Sequence, residues 1–212
     1  MEVIQAIRNY SGQPITRQIL MDILQDYRRP YDKINELTKQ GQLLQIKRGV
    51  FIGGPQSSIS APEHFLLANH LWGPSYVSAD SALSYWGLIP ERVYEVCSMT
   101  THLAKIYKTP VGRFRYIRLP LPYYSYGIQR VELASNQMTL IAGKEKSLCD
   151  KIITTTGLKL RSVKQTREYL TDDLRISKES LRELDTEIIH DYLKKAPKKE
   201  SIQILVKTLK DL

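Results

Sequence analysis

Residues 42–54 read QLLQIKRGVFIGG. Leu43, Leu44 and Ile46 precede a polar tip of Lys47, Arg48 and Gly49, and Val50, Phe51 and Ile52 follow it. Two apolar runs around a glycine predict a β-hairpin, because the turn needs a residue that accepts positive φ and Gly49 supplies one. Turn chemistry does not call for two cations, so Lys47 and Arg48 need another reason to be there.

The residues upstream suggest that reason. Val3, Ile4 and Ile7 fall at helical spacing, and SGQP ends that helix. Thr16 is placed to cap a second helix with Ile19, Leu20, Ile23 and Leu24 on one stripe. After the turn RRP, Pro30 suits the first turn of a third helix, which buries Ile34, Leu37 and Thr38 and stops at Gly41. Three short helices and then a hairpin is the order of a winged helix–turn–helix. In that fold the third helix enters the major groove and the hairpin wing lies against the backbone. Lys47 and Arg48 at the wing tip, with Arg28 and Arg29 in the turn, are then candidate phosphate contacts. Tyr31, Lys33 and Asn35 near the start of the third helix are candidates for base edges, and Lys39 adds a cation at its end.

The uncharged stretch GGPQSSISAP, residues 53–62, reads as a linker. It predicts a DNA-binding domain over 1–56 and a C-terminal domain over 57–212, β-rich at 90–142 and helical at 143–212. The expected class is thus α+β. In the second part, residues 63–73 read as a helix, and within the segment 76–88 Ser78 is placed to cap another that ends at Gly87. RVYEVCSM and GRFRYIRLPL alternate as strands do, and RVELASNQMTLIAG reads as two strands around a turn at Ser135–Asn136. KEKSLCDKIITTT returns to helical spacing, and SVKQTREYL, SKESLRELDTEIIHDYL and KKESIQILVKTLKDL continue as helices.

Charge is segregated along the chain, whose net value is +9. Residues 28–48 carry six cations against Asp32 and Glu36. Residues 102–131 carry Lys105, Lys108, Arg113, Arg115, Arg118 and Arg130 and no carboxylate, whereas residues 57–101 are mildly acidic. Arg113 and Arg115 share one face of their strand, opposite Phe114 and Tyr116. With no acid nearby in sequence, Lys105, Lys108, Arg113, Arg115 and Arg118 form a second basic face; a solvated surface is its plain reading, and as a site it is expected to touch DNA beside the winged helix. The expected compartment is the cytoplasm: no run approaches the ~18 apolar residues of a membrane span, and the N-terminus lacks a signal-peptide pattern. Cys97 and Cys149 fit buried free thiols there.

The familiar catalytic signatures are missing. There is no phosphate-binding G-x-x-x-x-G-K-[ST], no G-x-G-x-x-G, no C-x-x-C and no H-E-x-x-H. Ser78, Ser81 and Ser84 lack a nucleophile elbow. His64 and His70 are six apart and share no helix face. A nuclease would have to draw on Glu132, Glu145 and Lys146, and a metal on Glu145 with Asp150 or on Asp172 with Asp173. Neither set has the density such a site needs, so no enzyme, metal or cofactor is expected.

In order along the chain stand a basic hairpin with RGVF, the segment YVSADSALSYWGL, a β-rich stretch and AGKEKSLCDKI. This arrangement resembles the AbiEi antitoxins of AbiE-type, type IV toxin–antitoxin systems. The matching positions are Arg48, Gly49 and Phe51; Tyr76, Ser78, Ser81, Ala82, Leu83, Gly87 and Leu88; and Ala142, Glu145, Lys146, Ser147, Leu148 and Asp150. Val50 places the aromatic one position late, and Ser147 stands where the family has alanine. The resemblance implies autorepression at operator DNA of the protein's own promoter. It also implies a C-terminal domain that counters a co-encoded nucleotidyltransferase-like toxin without a stable complex. The toxin's nucleic-acid or nucleotide substrate is then the second candidate for the basic face of residues 102–131. No catalytic residue is implied; Ala82, Leu83 and Leu88 read as core. A plain regulator with a ligand-sensing or oligomerising C-terminal domain is the alternative.

Overall fold

The computed structural model describes residues 2–212. Its first unit contains α1 (Glu2–Arg8), β1 (Ile15–Thr16), α2 (Arg17–Ile23), α3 (Pro30–Lys39), β2 (Leu43–Lys47) and β3 (Val50–Gly53). The boundaries have local causes. Thr16 Oγ1 accepts a hydrogen bond from the Ile19 amide at 3.3 Å and caps α2. Pro30 opens α3, Gly41 follows it at φ +68°, and Gly49 turns the hairpin at φ +81°. The strands form an antiparallel sheet in the order β1-β3-β2.

Both faces of the hairpin are buried. Leu43 and Phe51 join Ile7, Ile15, Leu20, Leu24, Ile34 and Leu37 in the core of the first unit. Ile46, Val50 and Ile52 turn the other way into the core of the rest of the chain, the cluster that also holds Leu67, Leu71 and Tyr116. Consecutive apolar residues in a strand are what two buried faces demand, since neighbouring side chains point to opposite sides. The hairpin is therefore shared between two cores.

The stretch expected to be a linker also packs. Ile59 belongs to the first core, and the Gly12 amide donates to the Ser60 carbonyl at 2.9 Å. A second dock holds the two parts together at the turn around Asn136. Gln13 Nε2 of the first unit donates to the Asn136 carbonyl at 2.8 Å, and within the larger part the neighbouring Gln137 Oε1 accepts from the Glu63 amide at 2.7 Å.

The larger part is a mixed six-stranded sheet with helices on both faces. In chain order its elements are α4 (His64–Leu71), β4 (Ser75–Val77), α5 (Ala79–Tyr85), β5 (Glu95–Thr100), β6 (Lys105–Thr109), β7 (Gly112–Arg118), α6 (Leu121–Tyr124), β8 (Ile128–Ala134), β9 (Gln137–Ala142) and α7 (Lys144–Thr154). The strand order is β6-β7-β5-β4-β9-β8, with β4–β9 and β5–β7 parallel and the other pairs antiparallel. α8 (Val163–Glu168) runs into a π-helical turn at Tyr169–Asp173, and α9 (Lys178–Arg182), α10 (Thr186–Tyr192) and α11 (Lys199–Lys210) follow. The fold class is α+β, as the alternation of patterns predicts.

Several local expectations change. Tyr76 and Val77, ahead of Ser78, form the short central strand β4, and neither β4 nor β6 was legible as a strand. The helix expected over SKESLRELDTEIIHDYL is two helices, because Asp185 caps a new one by accepting from the Glu187 and Ile188 amides. Ser78 precedes α5 but its hydroxyl does not cap it; it points to Asp150. Among the described residues, no helix is long and apolar enough to cross a membrane.

Candidate nucleic-acid interface

α3 presents one face to solvent. Tyr31 and Asn35 are exposed on it, and Arg28 and Arg29 are exposed in the turn before it. Lys33 is half-buried and its ammonium lies 2.8 Å from Glu36 on the next turn. That hydrogen bond raises the lysine pKa and lowers that of the glutamate. Arg29 makes a longer, solvent-exposed contact to Asp32 at 3.8 Å. Lys39 is exposed in the last turn, where a cation complements the helix dipole. Among the described residues, Arg28, Lys39 and Arg48 have no ion-pair partner.

Arg17 is a member of this surface that the sequence reading missed. It is the first residue of α2, its backbone amide donates to the Gly49 carbonyl at 2.9 Å, and its guanidinium lies 6.0 Å from the Tyr31 ring centroid. It therefore bridges the hairpin tip and the start of α3. The available signal was a cation directly after the capping Thr16. Arg28 and Arg29 precede α3, Arg17 reaches Tyr31 in its first turn, and the exposed Arg48 lies next to the Gly49 that Arg17 contacts.

Lys47 does not belong there, which corrects its assignment as a wing-tip phosphate contact. A bulge shifts the β2–β3 register between Gln45 and Lys47 and re-aims the strand end. Lys47 is half-buried, donates to the Leu71 carbonyl at the end of α4, and lies 5.4 Å from the Tyr107 ring centroid. Burial, and then the charge of Lys105, holds its pKa below the ordinary lysine value. The amine closes the last turn of α4 against the hairpin. Arg48 alone of the pair reaches solvent.

The second basic stretch is likewise divided by the sheet. Lys105 and Tyr107 share a face with Tyr116 and Phe114, and Lys105 lies 4.5 Å from the Trp72 ring centroid and 4.8 Å from that of Tyr107. Tyr116 donates to the Ala68 carbonyl at 2.6 Å, so α4 and the hairpin cover this side. Lys108, Arg113 and Arg115 point to the opposite side, and Arg118 is exposed at the end of β7. The expectation of a face without carboxylates is overturned. Parallel pairing of β5 with β7 sets Glu95 beside Arg113, and its carboxylate contacts Arg113 and, at 2.9 Å, Arg115. The five cations are not one surface.

The motif residues of the C-terminal part converge on a buried ionic centre. Lys146 and Asp150, both fully buried on successive turns of α7, lie 3.1 Å apart. Asp150 Oδ2 accepts from Tyr76 at 2.9 Å and from Ser78 at 2.7 Å. The Lys146 ammonium donates to the Tyr123 carbonyl at 3.0 Å and sits 3.3 Å from that ring's centroid. Burial pushes the lysine pKa down while Asp150 pulls it up, and burial followed by Asp150 drives the Tyr76 phenol well up. Glu145 is elsewhere engaged, accepting from the Asp185 amide at 3.1 Å, and Glu132 accepts from the Asn136 amide at 2.9 Å. Asp172 accepts from the Thr171 hydroxyl at 2.8 Å. Among the described residues, no three His, Cys, Asp or Glu side chains gather as a metal site. Ser81 bonds the β5 backbone at Glu95 and Cys97, and Ala82, Leu83 and Leu88 are core. Cys97 and Cys149 are buried free thiols, and burial pushes Cys97 up to about 11.

No family model matches the chain, and no curated protein does. Among solved structures it is similar to the RV2827C protein from Mycobacterium tuberculosis, with a TM-score of 0.64 at 14% identity. The match covers 98% of this chain and 76% of that one, a likeness of fold.

Proposed function

We propose that the protein is a DNA-binding antitoxin of the AbiE type that represses its own operon. Its first unit acts as a winged helix–turn–helix: α3 lies in the major groove of operator DNA, and the hairpin tip meets the backbone. The observation that carries this reading is the exposed start of α3, with Tyr31 and Asn35, preceded by the exposed Arg28 and Arg29 and flanked by Arg17, whose guanidinium lies 6.0 Å from the Tyr31 ring and whose amide ties it to the hairpin turn beside the exposed Arg48. The cations neutralise phosphates and hold register; Tyr31 and Asn35 read bases. The remainder of the chain counters a co-encoded nucleotidyltransferase-like toxin without a stable complex. The gathering of Tyr76, Ser78, Lys146 and Asp150 into one network supports the resemblance, since those motif positions then share a structural reason. The reading assigns them no catalysis.

The test is a gel shift with the promoter fragment and a random duplex of equal length. Asn35→Ala is expected to weaken operator binding by about 1–3 kcal/mol and leave random DNA nearly unchanged. Equal losses on both duplexes would make Asn35 a backbone contact. No preference of the wild type for the promoter would remove the autorepressor reading.

A salt titration separates the two hairpin cations. Arg48→Ala is expected to lower the slope of log K against log salt by about one unit, as one lost phosphate contact does. Lys47→Ala is expected to leave the slope unchanged, because that amine already faces Leu71. A drop of about one unit for Lys47→Ala would return it to the interface.

A further inference from the structure

The two outer strands of the large sheet are finished differently. β6 ends one side, carries the exposed Lys105 and Lys108, and is followed by Pro110, features that discourage pairing at an edge. β8 ends the other side with one cation, Arg130, and one carboxylate, Glu132, and it pairs with β9 alone. The direction of its free backbone groups follows from Asn69. That side chain accepts from the Leu140 amide at 2.7 Å and donates to the Leu140 carbonyl at 3.3 Å, so both backbone groups of Leu140 face away from β8. Leu140 stands opposite Arg130, which makes theirs a pair without ladder bonds and turns the Arg130 amide and carbonyl out of the sheet. Alternation turns those of Glu132 outward as well, and those of Val131 inward to β9. Among the described residues, no backbone hydrogen bond reaches these outer groups. The side chains of Arg130 and Glu132 are exposed on the face that also exposes Leu140, and among the described residues neither makes an ion pair. Glu132 bonds the Asn136 amide through Oε1 alone.

We infer that β8 is a self-association edge, on which a second copy of this chain pairs antiparallel about a two-fold axis at Val131. A two-fold interface presents the same strand to itself, so the strand must be complementary to its own reverse. β8 is: with the axis at Val131, Arg130 stands opposite the partner subunit's Glu132, and Glu132 opposite the partner subunit's Arg130. Both pairs use the outward backbone groups, so each exchanges two ladder hydrogen bonds, while Val131 meets its own image in the closer, non-bonded pair. The opposite charges lie on one face of the joined sheet, where cross-strand neighbours attract. Moving the axis by one residue, to Arg130 or to Glu132, sets like charges against each other, so charge selects the register. A strand of another protein finds the same backbone groups, but the order of charges in β8 favours its own copy. The bulge after Glu132 ends the regular ladder, which keeps the pairing short and the dimer weak.

The inference does not depend on the DNA reading, and its test contains no DNA. Sedimentation equilibrium of the full chain over about 5–500 µM is expected to show a reversible monomer–dimer equilibrium. Arg130→Glu and Glu132→Arg, each alone, set like charges opposite one another and are expected to raise the dissociation constant by about tenfold. An equimolar mixture of the two variants is expected to dimerise again, because each chain supplies the charge that the other lacks. Circular-dichroism melts verify that both variants fold. Glu132 also holds the turn at Asn136, so a second pair of variants leaves it in place. Val131→Cys is expected to form a disulfide between chains under mild oxidation, since a residue on the axis faces its image with about 4.5 Å between Cα atoms. Gln129→Cys, on the same face but off the axis, is expected not to, and the native Cys97 and Cys149 are buried. Where Glu132→Arg does not melt cooperatively, the cysteine pair decides. A monomer throughout the concentration range, single charge variants that dimerise like the wild type, a mixture of folded variants that stays monomeric, or equal disulfide yields at the two cysteine positions would each overturn the proposal.

Discussion

Asp150→Ala is expected to destabilise the protein by about 3–5 kcal/mol, the usual cost of leaving a buried charge without its partner. The variant strands Lys146, which is fully buried and is left with the Tyr123 carbonyl and ring and the more distant rings of Tyr76 and Tyr192 but no anion. It also removes the acceptor of Tyr76 and Ser78, both inaccessible to water. A domain has only about 5–15 kcal/mol in total, so much of the margin would go. Lys146→Met combined with Asp150→Leu should recover part of the loss, because no charge is then left in the interior, although the two hydroxyls remain unsatisfied. Urea titrations of wild type, single and double variants measure this. A single-variant loss below about 1 kcal/mol would mean that the centre opens to water, and its description as a structural clamp would have to be abandoned.

A fragment of residues 1–56 is expected to lack a cooperative thermal transition. Cutting there uncovers Ile46, Val50 and Ile52, which the larger part buries, and removes Ile59 from the first core. Each buried aliphatic side chain contributes about 1.5–3 kcal/mol. Four such residues weigh as much as the entire stability of a small domain. The measurement is a circular-dichroism melt of the fragment beside the full chain. A sigmoidal melt within a few degrees of the full-length protein would show that the hairpin does not need its second partner. The proposed DNA binding is for the same reason best tested on the whole chain.

The first unit was largely legible because its signals are local. Thr16, Pro30, Gly41 and Gly49 act on the backbone within a turn of themselves, and each does what its chemistry predicts. The strands β7, β8 and β9 were legible from alternation for the same reason. β4 was not, because a central strand buried on both faces has no alternation to read. β6 was hidden by its opposite condition, an exposed edge whose Lys105 and Lys108 resemble a loop.

Composition, periodicity and turn chemistry by themselves determined an α+β chain with three helices and a basic hairpin at its start. They also marked Arg28, Arg29, Tyr31, Asn35 and Arg48 as exposed, because helix and turn periodicity assigns inside and outside. Partnership across the fold was decided only by tertiary structure. Pairing of β5 with β7 brought Glu95 to Arg113 and Arg115, and docking of the hairpin on α4 drew Lys47 to Leu71. Folding of α7 beneath β4 joined Lys146 and Asp150 to Tyr76 and Ser78. A charge's meaning depends on the groups within a few ångströms of it. Strand order and domain docking select those groups from distant parts of the chain, and one-dimensional spacing carries no record of that selection.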